Sequence, residues 1–258
     1  MAQQSNKNFA IPLAFVGLMF FTLGFALGIN SFLIPVLKES LNLSSGVAYL
    51  LLAATFIPFI IFGYPASRTI AAIGYKRTMA ISFVIFALAF VVFVLSAKNE
   101  SFILFLAASF VSGTANAYLQ ASVNPYITIL GPIDSAARRI SMMGICNKLA
   151  WPVAPLFFAA VVPDSTNVQI ADLYLPFYII IGVFVLLSII SLMAPLPEVK
   201  ATGEDESSAD DCPYAANKTS IWQFPHLLLG VLALFVYVGV ETLALSTAID
   251  YATAVGLP

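Results

Sequence analysis

Long runs of hydrophobic residues recur along the chain and are separated by short polar stretches. Seven runs are long enough to cross a bilayer as a helix, which takes about 20 predominantly apolar residues. Because an isolated strand cannot satisfy its backbone hydrogen bonds in lipid, each run is predicted to be a helix. The seven predicted spans cover residues 9–37, 46–73, 79–95, 101–130, 140–162, 173–193 and 225–252.

Composition agrees with this pattern. Of the 258 residues, 60% are hydrophobic and only 9% are charged. A soluble globular domain carries about 25% charged residues, so this chain lacks the residues for a water-facing surface. We therefore predict an all-α integral membrane protein with the lipid bilayer as its solvent.

The basic residues in the loops predict the orientation, because cytoplasmic loops carry an excess of Lys and Arg. A cytoplasmic N-terminus places eight basic residues inside and two outside, and we expect this arrangement. The first apolar run is too long for a cleavable signal peptide. The inner residues are Lys7, Arg68, Lys76, Arg77, Arg138, Arg139, Lys200 and Lys218, and the outer ones are Lys38 and Lys98.

Residues 195–224 form a long polar stretch whose acidic run at 203–211 repels itself and cannot bury a core. We predict a flexible cytoplasmic linker between a six-helix bundle at 1–194 and a seventh helix at 225–258. Many transporters pair two six-helix halves, each made of two inverted three-helix repeats, around a central site. The seventh helix would begin an incomplete second half, so the chain alone is not expected to transport.

Amide side chains lie at helical spacing in the fourth span. Polar groups within a bilayer are costly and are therefore functional candidates. Asn116, Gln120 and Asn124 are four residues apart and fall on one helix face. Three amides supply donors and acceptors, which suits a neutral polyhydroxylated ligand. Hydrogen bonding between neighbouring helices is the alternative interpretation.

Three residues of the fifth span are further candidates. Lys148 lies nine residues past Arg139, roughly 13 Å into the membrane at about 1.5 Å per residue. Its ammonium is therefore expected to face a partner or a watery cavity. Asn147 precedes it, and Trp151 offers a sugar ring a flat apolar face and an N–H group. A membrane-interface belt is the alternative for Trp151.

The first and seventh spans add polar groups to this set. Asn30 and Ser31 lie toward the outer end of the first span. Glu241 lies near the middle of the seventh span and is either a site residue or the partner of Lys148. Asp250, near the outer end of that span, is interpreted as an interfacial charge.

Several kinds of site are not supported by the sequence. His226 is the single histidine, and Cys146 and Cys212 form no metal-spaced or disulfide pattern. We find no nucleotide-binding loop and no convergent nucleophile, base and acid. The chain is therefore expected not to be an enzyme and to need no catalytic residue, metal, cofactor or nucleic acid.

Four segments resemble one known family. Residues 119–132, LQASVNPYITILGP, followed by Arg138 and Arg139, resemble the fourth-helix signature of the fucose–glucose/galactose–proton symporter branch of the major facilitator superfamily. Residues 30–35, 73–77 and 237–241 resemble that branch in the first helix, the loop between helices 2 and 3, and the seventh helix. The resemblance implies the N-terminal six-helix bundle of an inner-membrane hexose transporter that works by alternating access.

Departures from the family pattern bear on the substrate and the coupling ion. Fucose permeases carry an aspartate at the position of Ser31 and a glutamate at that of Gln120, which couple protons and bind sugar. Gln120 matches the glucose/galactose type and favours a hexose, while Lys148 replaces a small polar residue. Ser31 and Lys148 are the coupling candidates, and the expected sugar-binding residues are Asn30, Asn116, Gln120, Asn124, Asn147, Trp151 and Glu241.

Other functions and coupling modes remain open at this stage. Fold resemblance does not determine a substrate, so a transporter of another neutral solute is one alternative. A non-transporting sensor or an inactive fragment is another. For coupling, Lys148 serves as a fixed cation in a uniporter, Lys148 and Glu241 form a titratable pair, or sodium binds at carbonyls and amides.

Overall fold

The computed structural model describes residues 10–162, 168–194, 196 and 220–255, and these contain eight α-helices. Short 3-10 helices lie at Ile133–Ser135, Ile170–Leu173 and Ile221–Gln223. The α-helices are α1 Ala10–Ser40, α2 Ser45–Ala48, α3 Leu50–Ile73, α4 Tyr75–Lys98, α5 Phe102–Ile129, α6 Ala136–Val161, α7 Tyr174–Met193 and α8 Pro225–Ala254.

Seven stretches of the described residues are long and apolar enough to cross a membrane. This confirms the seven predicted spans, with α2 and α3 forming the second. The helices extend a few residues past the apolar runs, so that α4 starts at Tyr75 and α6 at Ala136. Backbone hydrogen bonds continue a helix into polar flanking residues, which a hydrophobic pattern does not detect. Most of the predicted linker lies outside the described residues.

The chain divides into two compact units, Met1–Val199 and Lys200–Pro258. The first unit contains α1 to α7, and the second contains α8. The first six spans belong to the first unit.

Glycines bring helices of the first unit into very close contact in two pairs. A Cβ added to Gly24 of α1 would lie 1.9 Å from the carbonyl oxygen of Asn147 in α6. One added to Gly113 of α5 would lie 2.1 Å from the carbonyl oxygen of Thr55 in α3. These pairs join span 1 to span 5 and span 4 to span 2, which are equivalent pairings in two inverted repeats. Small residues permit such an approach between membrane helices.

Aromatic side chains pack α4 against α7, which are the third and sixth spans. Phe86 and Phe184 stack with ring centroids 4.7 Å apart and planes 11° apart. Phe90 and Phe93 lie 5.7 and 5.5 Å from Phe177. All five rings are buried, and each such pair contributes about 0.5–1.5 kcal/mol beyond its buried area. This layer joins the last helices of the two repeats.

Candidate functional site

A cavity of about 290 Å³ lies between α3 and α5. The amide residues Gln120 and Asn124 of α5 line it together, as their shared helix face predicted. No charged residue is among those that line it, so its polar character comes from neutral groups. The lining residues are Phe59 and Gly63 of α3 and Ala117, Gln120, Ala121, Asn124 and Pro125 of α5.

Small side chains and a proline shape this cavity. A Cβ added to Gly63 would meet no heavy atom within 4 Å, so this part of the wall is open. Ala117 and Ala121 add only small methyl groups to the lining. Pro125 lies inside α5 and carries no N–H, so the Ala121 carbonyl lacks its usual donor four residues on.

Phe59 and Gly63 were not identified by sequence reasoning. The second span carries no amide or charge near these positions, and neither residue type distinguishes a site from a packed helix. The sequence did give a signal on the opposite wall of the cavity: Pro125 lies inside α5, and a proline inside a helix often marks a bend. Contact between the second and fourth spans became visible only in the folded chain.

Asn116 belongs to the same amide face but lies inside the bundle rather than at the cavity. It is fully buried, and its Nδ2 donates to the Ser112 carbonyl at 3.3 Å. Its Oδ1 and the Ser112 hydroxyl have no hydrogen-bond partner among the described residues. A buried polar atom without a partner costs about 1–3 kcal/mol, so both oxygens favour a water or hydroxyl beside them.

Asn30 connects α1 to α5. It is buried, and its Oδ1 accepts a hydrogen bond from the Ser109 hydroxyl at 3.2 Å. Its Nδ2 donates to the Ala26 carbonyl at 3.3 Å. The neighbouring Ser31 is half-buried, and its enclosed hydroxyl has no partner in the described part of the chain. Asn30 therefore makes a hydrogen bond between two helices, and it is not among the residues that line the cavity.

Asn147, Lys148 and Trp151 lie within two turns of α6. Asn147 donates from Nδ2 to the Phe20 carbonyl of α1 at 3.1 Å. The Trp151 Nε1 is buried without an acceptor among the residues described. Lys148 is exposed, and its Nζ lies 5.8 Å from the centroid of the Trp151 ring. The structure thus brings the lysine and the tryptophan together as a cation–π pair.

Glu241 lies in α8, in the second unit. Tyr237, one turn earlier, donates from its hydroxyl to Glu241 Oε1 at 3.0 Å. The carboxylate therefore has a polar partner on its own helix. Across the described residues of both units, no group of three or more His, Cys, Asp or Glu side chains is placed to hold a metal ion.

Comparisons with known proteins identify the family and its relatives. Residues 16–258 match the model of the Major Facilitator Superfamily. A glucose/galactose transporter of Brucella abortus is 33% identical over 242 residues, which cover 92% of this chain and 57% of that protein. The L-fucose-proton symporter of Escherichia coli is 23% identical over 267 residues, or 96% of this chain and 60% of that protein.

The fold has a counterpart among solved structures. The crystal structure of a Major Facilitator Superfamily transporter, FucP, in the outward conformation matches with a TM-score of 0.74 at 23% sequence identity. The match covers 95% of this chain and 63% of that chain. The present chain therefore spans somewhat more than half the length of the relatives that it matches.

Proposed function

Because the chain belongs to the Major Facilitator Superfamily, we propose that it is part of a transporter that moves a hexose of the glucose/galactose class across the inner membrane by alternating access. The observation that carries this proposal is the cavity where Gln120 and Asn124 face Phe59. The similarity to a protein named as a glucose/galactose transporter supports the same substrate class.

The chemistry of the cavity suits a small neutral sugar. Each sugar hydroxyl both donates and accepts, and each amide of Gln120 and Asn124 offers the complementary groups. Phe59 supplies an apolar surface for the C–H face of the ring. The cavity volume of about 290 Å³ is close to the lower end of typical ligand pockets, about 300 Å³.

We assign different roles to the predicted sugar-binding residues. Gln120 and Asn124 bind the sugar directly, and Glu241 is a further sugar-binding candidate. Asn116 and Trp151 each hold a buried polar atom without a partner in the described structure, and they reach the sugar when the helices rearrange. Asn30 and Asn147 support the site through their hydrogen bonds to the Ser109 hydroxyl and the Phe20 carbonyl.

For coupling, we assign Lys148 the role of a built-in cation. Ser31 and Gln120 carry no ionisable group in the physiological range, so neither can replace a proton-carrying carboxylate. Lys148 instead supplies a cation beside Trp151. Coupling to a proton or to sodium is the alternative. The N-terminus is assigned to the cytoplasm from the distribution of basic residues in the loops.

Counterflow in proteoliposomes tests the function. The full-length gene product is reconstituted, preloaded with unlabelled solute and exposed to labelled glucose, galactose, fucose or a neutral amino acid. We expect saturable exchange of glucose or galactose. Exchange of the amino acid alone would favour another neutral solute. A folded protein that exchanges none of these solutes would contradict transport and favour a sensor.

A further inference from the structure

Arg139, near the start of α6, is bound to the end of α5. It is buried, with 9% of its surface exposed. Its Nε donates to the Ile127 carbonyl at 3.1 Å and its Nη2 to the Thr128 carbonyl at 3.0 Å. Its Nη1 donates to the Pro132 carbonyl at 2.9 Å and also to the Ser135 hydroxyl. One guanidinium thus joins the helix end, the turn and the start of the next helix.

These contacts make Arg139 a C-terminal cap for α5. The last four carbonyls of a helix lack intrahelical donors and carry partial negative charge. Ile127 and Thr128 belong to that last turn, because α5 ends at Ile129. Burying a charge is costly unless it is hydrogen-bonded, and here three carbonyls and a hydroxyl provide the bonds. The cap is supplied by the following helix rather than by α5 itself.

The turn between the helices is built to hold this guanidinium. Gly131 has a φ of 103°, in the left-handed region that disfavours other residues. A Cβ added there would lie 3.4 Å from Arg139 Nη1, at the short end of ordinary van der Waals contact. Gly131 therefore turns the chain and leaves room for the side chain that closes the helix end.

The cap lies next to the amide-lined cavity. Asn124 precedes Ile127 by three residues, about 4.5 Å along the axis at about 1.5 Å per residue. Between them is Pro125, where α5 lacks one backbone hydrogen bond and can bend. The cavity residues precede this weak point and the capped turn follows it. A shift of the last turn would therefore be taken up at Pro125, beside the cavity.

We propose that Arg139 is a positioning residue for the sugar site, which holds the last turn of α5 so that Gln120 and Asn124 keep their placement against Phe59. The sugar-binding part of this inference rests on the proposed function. The mechanical part, that Arg139 controls the conformation around Asn124, does not require that the protein transports sugar.

Transport kinetics test the first part in the full-length protein. Arg139→Gln removes the charge and part of the hydrogen bonding, and it is expected to raise the KM for counterflow about tenfold while the maximal rate falls less than threefold. Arg139→Lys keeps a cation at the helix end and is expected to restore about half of that loss. Arg138→Gln, the same change at the adjacent exposed arginine, is the matched control and should leave KM within twofold.

Thiol labelling tests the second part without sugar. Asn124→Cys is introduced into a background in which all other cysteines are alanine, and its maleimide labelling rate is measured in membranes. Arg139→Gln is expected to change that rate at least threefold, whereas Arg138→Gln should not. Unchanged KM and unchanged labelling in a correctly inserted Arg139→Gln protein would overturn the proposal.

Two further outcomes separate the possible failures. If the wild type exchanges no sugar but Arg139→Gln alters labelling, the proposed function fails and the positioning of α5 stands. If Arg139→Gln, Arg139→Lys and Gly131→Ala all fail to insert, Arg139 serves folding alone and the positioning proposal is overturned.

Discussion

The Nζ atom of Lys148 lies 5.8 Å from the centroid of the Trp151 ring, three residues further along α6. The negative face of an indole attracts a cation, by about 0.5–1 kcal/mol at an exposed site. Trp151 is itself held at the α1 interface, where a Cβ added to Gly28 would lie 2.8 Å from its carbonyl oxygen. Lys148 is proposed to replace a coupling ion. Its charge therefore lies beside the ring of a residue whose backbone packs closely against α1.

If Lys148 is a built-in cation, sugar flux in the full-length protein should be indifferent to proton and sodium gradients. Lys148→Gln should impair flux severalfold, and Lys148→Glu should introduce dependence on the proton gradient, because a carboxylate can gain and lose a proton. Uptake into proteoliposomes with imposed gradients measures this. Lys98→Gln, at the exposed end of α4, is the control, and a wild type that concentrates sugar on a proton gradient alone would refute the idea.

Gln120→Ala should weaken sugar binding while leaving insertion intact. Losing a hydrogen-bonding group from the cavity costs about 1–3 kcal/mol, or roughly a 5- to 150-fold rise in KM for counterflow. Thr114→Ala on the same helix is the control, since its hydroxyl bonds only to the Phe110 carbonyl among its described contacts. A variant with wild-type KM would remove Gln120 from the binding site.

Phe59→Ala should raise the KM for hexose by about two- to tenfold, since the loss of an aromatic contact typically costs about 0.5–1.5 kcal/mol. Phe59→Tyr keeps the ring and should restore most of the affinity. Ile60→Ala, at a neighbouring side chain that is 87% exposed, is the control. Equal KM values for Phe59→Ala and Ile60→Ala would show that the aromatic side chain does not contact the sugar.

Gly24→Ala should destabilise the first unit, because the new Cβ would lie 1.9 Å from the Asn147 carbonyl oxygen and the helices must separate. Overpacking of this kind costs about 1–3 kcal/mol. Gly144→Ala is the control, because its Cβ would meet nothing within 4 Å while it gains a similar helix propensity. Thermal unfolding in detergent should give a lower Tm for Gly24→Ala alone, and equal Tm values would contradict the close contact.

The orientation can be tested by single cysteines in an otherwise cysteine-free protein. Asp205→Cys, in the acidic stretch, should react with an impermeant maleimide only from the cytoplasmic side. Asn99→Cys, at the end of α4, should react only from outside, because the basic residues of the loops are predicted to lie inside. The reverse accessibility at both sites would show that the N-terminus is external.

Part of the candidate site followed from helical periodicity. Gln120 and Asn124 were predicted to share a face, and both line the cavity. Asn116 shares that face but is buried one turn away. Periodicity places residues on a face, whereas the distance to the next helix decides which of them remains accessible.

The sequence by itself determined the number of membrane helices, because the length of an apolar run measured against the bilayer thickness is a local property. It also determined the amide face of the fourth span. Only the tertiary structure decided that Phe59 and Gly63 face those amides, that Asn30 bonds to Ser109, and that Arg139 caps α5. Such contacts depend on how closely glycines let two helices approach and on which buried donors find an acceptor. Each of these contacts joins two residues that packing brings together. The sequence gives the identity of both residues but not the distance between them in the folded chain.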